Sequence, residues 1–158
     1  MRILIAALAV AGLVVSTLAL RVHNMDPGAA PPCAVDEHWD CGAVNHSRFA
    51  VFPPKTFDED VKSGKLHVPV AALGIAGYAV MLVLALTGRL WAVLQLAEIG
   101  FAFACFLTYL EAYVIEKWCI YCVWSQCIIT AMVLATIVAL ILRKRSRYVL
   151  EMPTPTAP

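Results

Sequence analysis

Four long runs of apolar residues dominate the chain, and polar residues separate each run from the next. The runs predict helices at about 3–20, 68–87, 90–115 and 119–142. A helix needs about 17–25 predominantly apolar residues to cross the hydrocarbon core of a bilayer, and each run has roughly that length. The pattern therefore predicts an all-α membrane protein built as a bundle of four transmembrane helices.

The connections between the predicted helices differ strongly in length. Residues 21–67 form one long polar loop between the first and second helices, whereas the later connections are so short that helices two, three and four should be antiparallel neighbours. The bundle is expected to span 1–150, followed by a disordered tail at 151–158 that is rich in Pro and Thr. The first run could instead be a cleaved signal peptide, but it exceeds the apolar core of about 7–15 residues typical of such peptides. The first run is therefore expected to remain in the protein as a transmembrane helix.

Composition supports a membrane protein and gives no indication of a nucleic-acid partner. Hydrophobic residues make up 61% of the chain and charged residues 15%, against about 45–50% and about 25% in soluble domains. The formal net charge is +1, and no basic face suited to nucleic acid is evident.

The basic residues also predict an orientation. The densest basic cluster, 143–147, follows the last helix, and such clusters remain cytoplasmic. With four crossings, both termini are then cytoplasmic and the 21–67 loop is extracytoplasmic. That loop carries five Lys and Arg residues of its own, which count against this orientation.

The cysteines indicate redox chemistry at one face of the membrane. Cys33 and Cys41 lie in the long loop, and Cys119-Ile-Tyr-Cys122 opens the fourth helix, so the predicted topology brings both pairs to the extracytoplasmic side. That compartment permits disulfide chemistry. The start of a helix lowers the pKa of a thiol and favours the reactive thiolate. Two pairs on one side can therefore form a relay, because thiol–disulfide exchange carries two electrons at each step.

Two other interpretations of these residues remain open. In the first, the protein is a non-catalytic four-helix membrane subunit whose cysteines form structural disulfides. In the second, it is a zinc-binding membrane module, because Cys33, His38, Cys41 and His46 in the loop are of metal-ligating type. Their spacing does not match the common zinc patterns, which begin with closely spaced cysteine pairs.

Four further residues lie within the third and fourth apolar runs. Cys105 and Cys127 fall outside both pairs and are expected to be packing residues. Glu98 and Glu111 are candidates for function, because a charge in lipid is costly. Glu111 lies near the outer end of its run and is expected at the membrane interface. Glu98 lies deeper, where burial in the bundle and snorkelling towards water are equally reasonable.

The combined motifs resemble the vitamin K epoxide reductase family, particularly its bacterial members without a fused thioredoxin-like domain. The matching features are the pair Cys33-x7-Cys41, a serine six residues later at Ser47, and the Cys119-Ile-Tyr-Cys122 motif. The start of the second run, Val68-Pro69-Val70, is also similar. The DsbB type of quinone-linked enzyme fits less well, because it carries a cysteine pair in each of two outer loops.

The resemblance implies a four-helix bundle around a membrane quinone, either ubiquinone or menaquinone. It implies that Cys33 meets a separate thioredoxin-like (DsbA-like) protein and that Cys41 passes electrons to Cys119. Cys122 would contact the quinone, and Ser47 would lie in the lid over the site. These roles describe an enzyme of the bacterial inner membrane that supports disulfide formation in exported proteins.

The chain also departs from the animal enzymes of that family. By position, it has Val70 and Gln126 where those enzymes carry an asparagine and a tyrosine. Vitamin K epoxide reduction therefore fits less well than disulfide formation. Gln126 can still donate a hydrogen bond to a quinone oxygen, and it is predicted to contribute to the quinone site.

Overall fold

The computed structural model describes residues 1–29, 33, 36–55 and 67–151, and for 147–151 it describes the backbone alone. Most of these residues are helical. In chain order the elements are α1 (Arg2–His23), α2 (Cys41–Asn45), β1 (Val51–Phe52), β2 (Val68–Pro69), α3 (Val70–Leu86), α4 (Leu90–Leu110) and α5 (Ile120–Glu151). A π-helical turn, Glu111–Ile115, continues α4 towards the connection that precedes α5.

The four long helices pack side by side into a bundle. α1 packs against both α3 and α5, and α4 packs mainly against α5. Small residues allow membrane helices to approach closely. Gly12 of α1 is such a residue, because a Cβ atom there would collide with the ring of Tyr78 on α3. The core is formed by apolar side chains from all four helices, including Ile5, Ala9, Tyr78, Met81, Val93, Ala97 and Met132.

The outside of the bundle is apolar, as lipid contact requires. Three segments are long and apolar enough to cross a bilayer, namely Arg2–His23, Leu90–Ile115 and Ile120–Ser146. α3 is equally apolar but has only 17 residues. Contiguous apolar surface on this scale indicates contact with a membrane or a partner, and it includes the exposed side chains of Val83, Ile99, Leu134 and Ile141. The prediction of a helical membrane protein is confirmed.

The helix boundaries depart from the predicted ones in two places. Residues 68 and 69, predicted as helical, form β2, which pairs antiparallel with β1 so that Val51 lies opposite Pro69. Pro69 then precedes the first turn of α3, where a missing N–H breaks no helical hydrogen bond. At the other end of the chain, α5 continues past 142 to Glu151. The rest of the predicted tail, 152–158, lies outside the described residues.

Part of the predicted long loop folds over one end of the bundle, and residues 36–55 are called the cap below. Asp40 starts α2 within the cap by accepting a hydrogen bond from the N–H of Ala43 at 3.0 Å, the usual arrangement at a helix N-terminus. α2 packs on α1 and on the π-helical turn. Trp39 forms a parallel β-bridge with Trp118, just before α5. The cap therefore lies over the end of the bundle at which α5 begins, while residues 56–66 lie outside the described part of the chain.

Candidate functional site

Cys33 and Cys41 form a disulfide at the cap, with their Cα atoms 5.8 Å apart. Cys41 is the first residue of α2 and is fully buried, and Cys33 is nearly so. Both pack in one cluster with Val22 of α1 and Cys119. The structure thus places the loop pair directly against a cysteine of the second pair.

Backbone pairing between the cap and the segment before α5 explains this proximity. The N–H of Asp40 donates to the carbonyl of Trp118 at 3.1 Å, and the N–H of Trp118 donates to the carbonyl of His38 at 2.8 Å. The carboxylate of Asp36 closes the preceding turn by accepting the N–H groups of His38 and Trp39. These backbone hydrogen bonds, that of His38 first, lower the pKa of Asp36 because they stabilise its ionised form. Cys41 directly follows Asp40 and Cys119 directly follows Trp118. The backbone pairing therefore brings one cysteine of each pair together.

Asn45 provides a side-chain link between the two pairs. Its Nδ2 donates to the carbonyl oxygen of Cys41 at 2.8 Å and lies 3.4 Å from the sulfur of Cys119. The spacing of four residues from Cys41 places both residues on one face of α2. Asn45 is buried, and an N–H directed at a sulfur favours the thiolate over the thiol. α2 therefore presents a hydrogen-bond donor to the sulfur of Cys119.

Cys119 and Cys122 are free thiols in this structure, and they hydrogen bond to each other. α5 begins at Ile120, so Cys119 directly precedes the helix and Cys122 lies in its first turn. The hydrogen bond from the Cys122 side chain lowers the pKa of Cys119, and burial opposes this effect without cancelling it. Because a thiol of lower pKa is more readily a thiolate and is also the better leaving group in disulfide exchange, Cys119 is the cysteine of this pair that is suited to exchange with the outer pair.

Glu111, which was expected near the outer end of its run at the membrane interface, has its side chain buried inside the protein. Glu111 is 2% exposed and begins the π-helical turn. Its Oε2 accepts the backbone N–H of Cys119 at 3.2 Å, and its carboxyl group also hydrogen bonds to the side chain of Cys122. Glu98, by contrast, is exposed on the outside of α4. The sequence signal for a role of Glu111 was the cost of placing a carboxylate in an apolar run.

A cavity of about 420 Å³ lies inside the bundle and reaches Cys122, a size within the range of small-molecule sites. Tyr78 and Ser125 form a polar spot in its wall, where their hydroxyl oxygens lie 3.0 Å apart. Asn45 and Ser47 reach the cavity from the cap. The remaining walls are mainly apolar and come from α1, α3, α4 and α5, with Val15, Leu73, Met81, Phe103, Leu107 and Ile129 among the lining residues.

The sequence of the chain matches a known protein family over most of its length. The model of the vitamin K epoxide reductase family matches residues 3–137, which include both pairs, the cap and most of the bundle. The chain belongs to that family. None of the curated proteins compared with the chain is significantly similar to it.

Vitamin K epoxide reductase family enzymes are membrane oxidoreductases that use quinones, and the cavity has features that suit such a ligand. A quinone is a flat apolar ring with two carbonyl oxygens that accept hydrogen bonds. The hydroxyl oxygen of Ser47 lines the cavity and is buried, with no hydrogen-bond partner among the described residues. Buried hydroxyl groups normally have a partner, so Ser47 has a free donor for a ligand oxygen.

The structure places Gln126 away from this cavity. Its side-chain nitrogen lies 3.5 Å from the sulfur of Cys105 on α4, and Gln126 is not among the residues that line the cavity. Cys105 and Cys127 are exposed on the outside of the bundle, apart from both cysteine pairs. In addition to the cysteines, Ser47 and Gln126 were predicted for the quinone site. Ser47 lies at the cavity, whereas Gln126 lies against a neighbouring helix.

The residues considered for zinc do not form a metal site in the described part of the chain. The sulfurs of Cys33 and Cys41 are joined to each other. The two ring nitrogens of His46 lie 2.9 Å from the carbonyl oxygens of Gly42 and Met25. Among the described residues, no three side chains of metal-ligating type come together.

Proposed function

We propose that this protein is a quinone-dependent thiol–disulfide oxidoreductase that supports disulfide formation outside the cytoplasm. The observation that carries the proposal is the position of Cys119, whose sulfur lies against Asn45 and packs with the Cys33–Cys41 disulfide. Its pair partner Cys122 lines the apolar cavity. One continuous set of thiols thus runs from the cap to a site suited to a quinone.

The proposed electron path has three transfers of two electrons each. A dithiol of a separate thioredoxin-like (DsbA-like) protein attacks the outer disulfide at Cys33 and leaves as a disulfide, which reduces Cys33 and Cys41. Cys41 then attacks a Cys119–Cys122 disulfide at Cys119, and the outer disulfide forms again as the inner pair is reduced. Oxidation of the inner pair finally passes two electrons and two protons to ubiquinone or menaquinone, giving the quinol.

The proposed membrane arrangement has four crossings, with both termini in the cytoplasm and the cap outside. α3 has 17 residues and a length of about 25 Å at 1.5 Å per residue, somewhat less than the hydrocarbon core of about 30 Å. A helix this short is accommodated by local thinning of the bilayer or by flanking residues. Basic residues 143–147 after the last span support the cytoplasmic side, and the inner membrane of a bacterium provides this arrangement.

The test is quinone reduction by the purified, full-length protein. Dithiothreitol serves as the electron donor and decylubiquinone or a short-chain menaquinone as the acceptor, and quinol formation is followed by absorbance. We expect turnover in the parent protein and in Cys105→Ala/Cys127→Ala, which leaves both pairs intact, and none in Cys122→Ser. Lack of quinone reduction by the folded, membrane-inserted parent protein would instead favour a four-helix subunit with structural disulfides.

A further inference from the structure

Glu111 lies at the inner cysteine pair, but the electron path above assigns no role to it. A carboxyl group that is 2% exposed and surrounded by apolar helices is costly to bury. One of its carboxyl oxygens nevertheless accepts the N–H of Cys119 at 3.2 Å, and the carboxyl group also interacts with the side chain of Cys122. Glu111 also lines the cavity that Cys122 reaches. It therefore contacts both a reacting thiol and the space in which the acceptor binds.

The backbone geometry keeps Glu111 in this place. The π-helical turn Glu111–Ile115 follows α4, and such turns are rare and occur frequently at functional sites. The chain then reverses at Glu116, which has a left-handed backbone conformation with φ of 56°. The reversal brings Cys119 back to the carboxylate of Glu111 from eight residues further along the chain.

The other ionisable groups near Glu111 are few. From α5 and the residue before it, Cys119 and Cys122 contact Glu111, and Tyr121 lines the same cavity. From α1, His23 lines the cavity, with its Nδ1 2.6 Å from the carbonyl oxygen of Asn45.

Two further ionisable residue types come from α3 and α2. From α3, Tyr78 lines the cavity and hydrogen bonds to Ser125. From α2, Cys41 carries no titratable thiol because it is in the disulfide. Among the described residues, Glu111 is the only carboxyl group that lines the cavity.

We propose that Glu111 is the catalytic base of quinone reduction, which accepts the proton of the Cys122 thiol and transfers it to the reduced quinone oxygen. This inference rests on the proposed function. As the Cys119–Cys122 disulfide bond forms, the pair loses two electrons and two protons, and the acceptor gains two electrons and two protons to give the quinol. Glu111 carries one proton from Cys122 to the quinone oxygen and returns to its carboxylate form. Cys119 releases its proton to the solvent, and the solvent supplies the second proton of the quinol. No other oxidant or reductant is needed.

The decisive experiment is a single turnover at varied pH with the full-length protein. The protein is reduced with dithiothreitol, freed of excess reductant and mixed with decylubiquinone, and the decrease in quinone absorbance is recorded. We expect Glu111→Gln to slow this step about 100-fold at neutral pH, within the usual range for loss of an acid–base group. The remaining rate should rise with pH, because only protein whose Cys122 is already deprotonated can react.

Two variants separate a proton-transfer role from a structural one. Glu111→Asp retains the carboxylate, so it should recover part of the rate and the pH profile of the parent protein. Glu98→Gln removes an exposed glutamate of α4 and should leave both the rate and the pH profile unchanged. A uniform loss of rate in Glu111→Gln, with the pH profile of the parent retained, would indicate a structural role and overturn the proposal.

A second readout does not depend on quinone reduction. In a Cys105→Ala/Cys127→Ala/Cys119→Ser background, alkylation of Cys122 is measured against pH with and without Glu111→Gln. The pH of half-maximal alkylation should shift with Glu111→Gln and stay constant with Glu98→Gln. No shift with Glu111→Gln would contradict the contact between Glu111 and Cys122.

The quinone assay separates failure of this inference from failure of the proposed function. If the parent protein itself fails to reduce quinone, the proposed function is wrong. If the parent reduces it and Glu111→Gln matches its rate and profile, only the role of Glu111 is wrong.

Discussion

The side-chain nitrogen of Asn45 lies 3.4 Å from the sulfur of Cys119, although 74 positions separate the two residues in the chain. The same nitrogen donates to the carbonyl of Cys41, one turn earlier in α2. Asn45 thus fixes the distance between the outer and inner pairs and favours a negatively charged sulfur at Cys119.

Asn45→Ala is expected to slow electron transfer from the outer to the inner pair about tenfold or more, because a hydrogen bond to a charged group contributes about 1.5–3 kcal/mol. The transfer can be followed by acid quenching, alkylation of free thiols and mass spectrometry after a pulse of dithiothreitol. Asn24→Ala is the matched control, since Asn24 is exposed at the end of α1. An unchanged rate in Asn45→Ala would mean that the contact does not assist the transfer.

Cys119→Ala should separate the two halves of the electron path. The Cys33–Cys41 disulfide remains intact in this variant, so a reduced thioredoxin-like protein should still reduce it. Turnover with quinone should stop, because Cys41 then has no sulfur to attack. Reduction of the outer pair is measured by alkylation, and quinol formation by absorbance. Normal quinone reduction by Cys119→Ala would show that the proposed order of cysteines is wrong.

The pH dependence of Cys119 should change when its partner thiol is removed. The hydrogen bond from Cys122 is the largest influence that lowers the pKa of Cys119, so Cys122→Ala should raise that pKa. The Cys119 thiolate then forms only at higher pH, and the pH of half-maximal alkylation moves upward. The measurement uses a Cys105→Ala/Cys127→Ala background with the outer disulfide intact, so that Cys119 is the reactive cysteine. A downward shift would contradict the hydrogen bond.

Ser47→Ala should weaken quinone binding while leaving thiol exchange intact. The hydroxyl of Ser47 is buried at the cavity without a partner among the described residues, and a typical hydrogen bond contributes about 0.5–1.5 kcal/mol. The KM for decylubiquinone should therefore rise about two- to tenfold, with little change in reduction of the outer disulfide. Gln126→Leu provides the comparison: because Gln126 lies against Cys105, its effect on KM should be smaller. The reverse order of effects would place the quinone nearer to α4 and Gln126.

The sequence by itself determined the membrane character, the helical architecture and the identity of the thiols. Four apolar runs leave little choice of secondary structure, because in lipid a helix satisfies its own backbone hydrogen bonds. The spacing Cys33-x7-Cys41 and the Cys119-Ile-Tyr-Cys122 motif were likewise sufficient to indicate the family. These properties are local, since each is carried by residues within one run or one short segment of the chain.

Only the tertiary structure decided which side chains surround the thiols. Glu111 was expected near the outer end of its run, but its burial against Cys119 follows from the π-helical turn and the chain reversal at Glu116. Gln126 and Ser125 are neighbours in α5, but successive helical residues point about 100° apart. Ser125 consequently reaches the cavity, while Gln126 meets Cys105. Such contacts depend on how helices rotate and pack against one another, and apolar runs that are hydrophobic on all sides carry little information about that rotation.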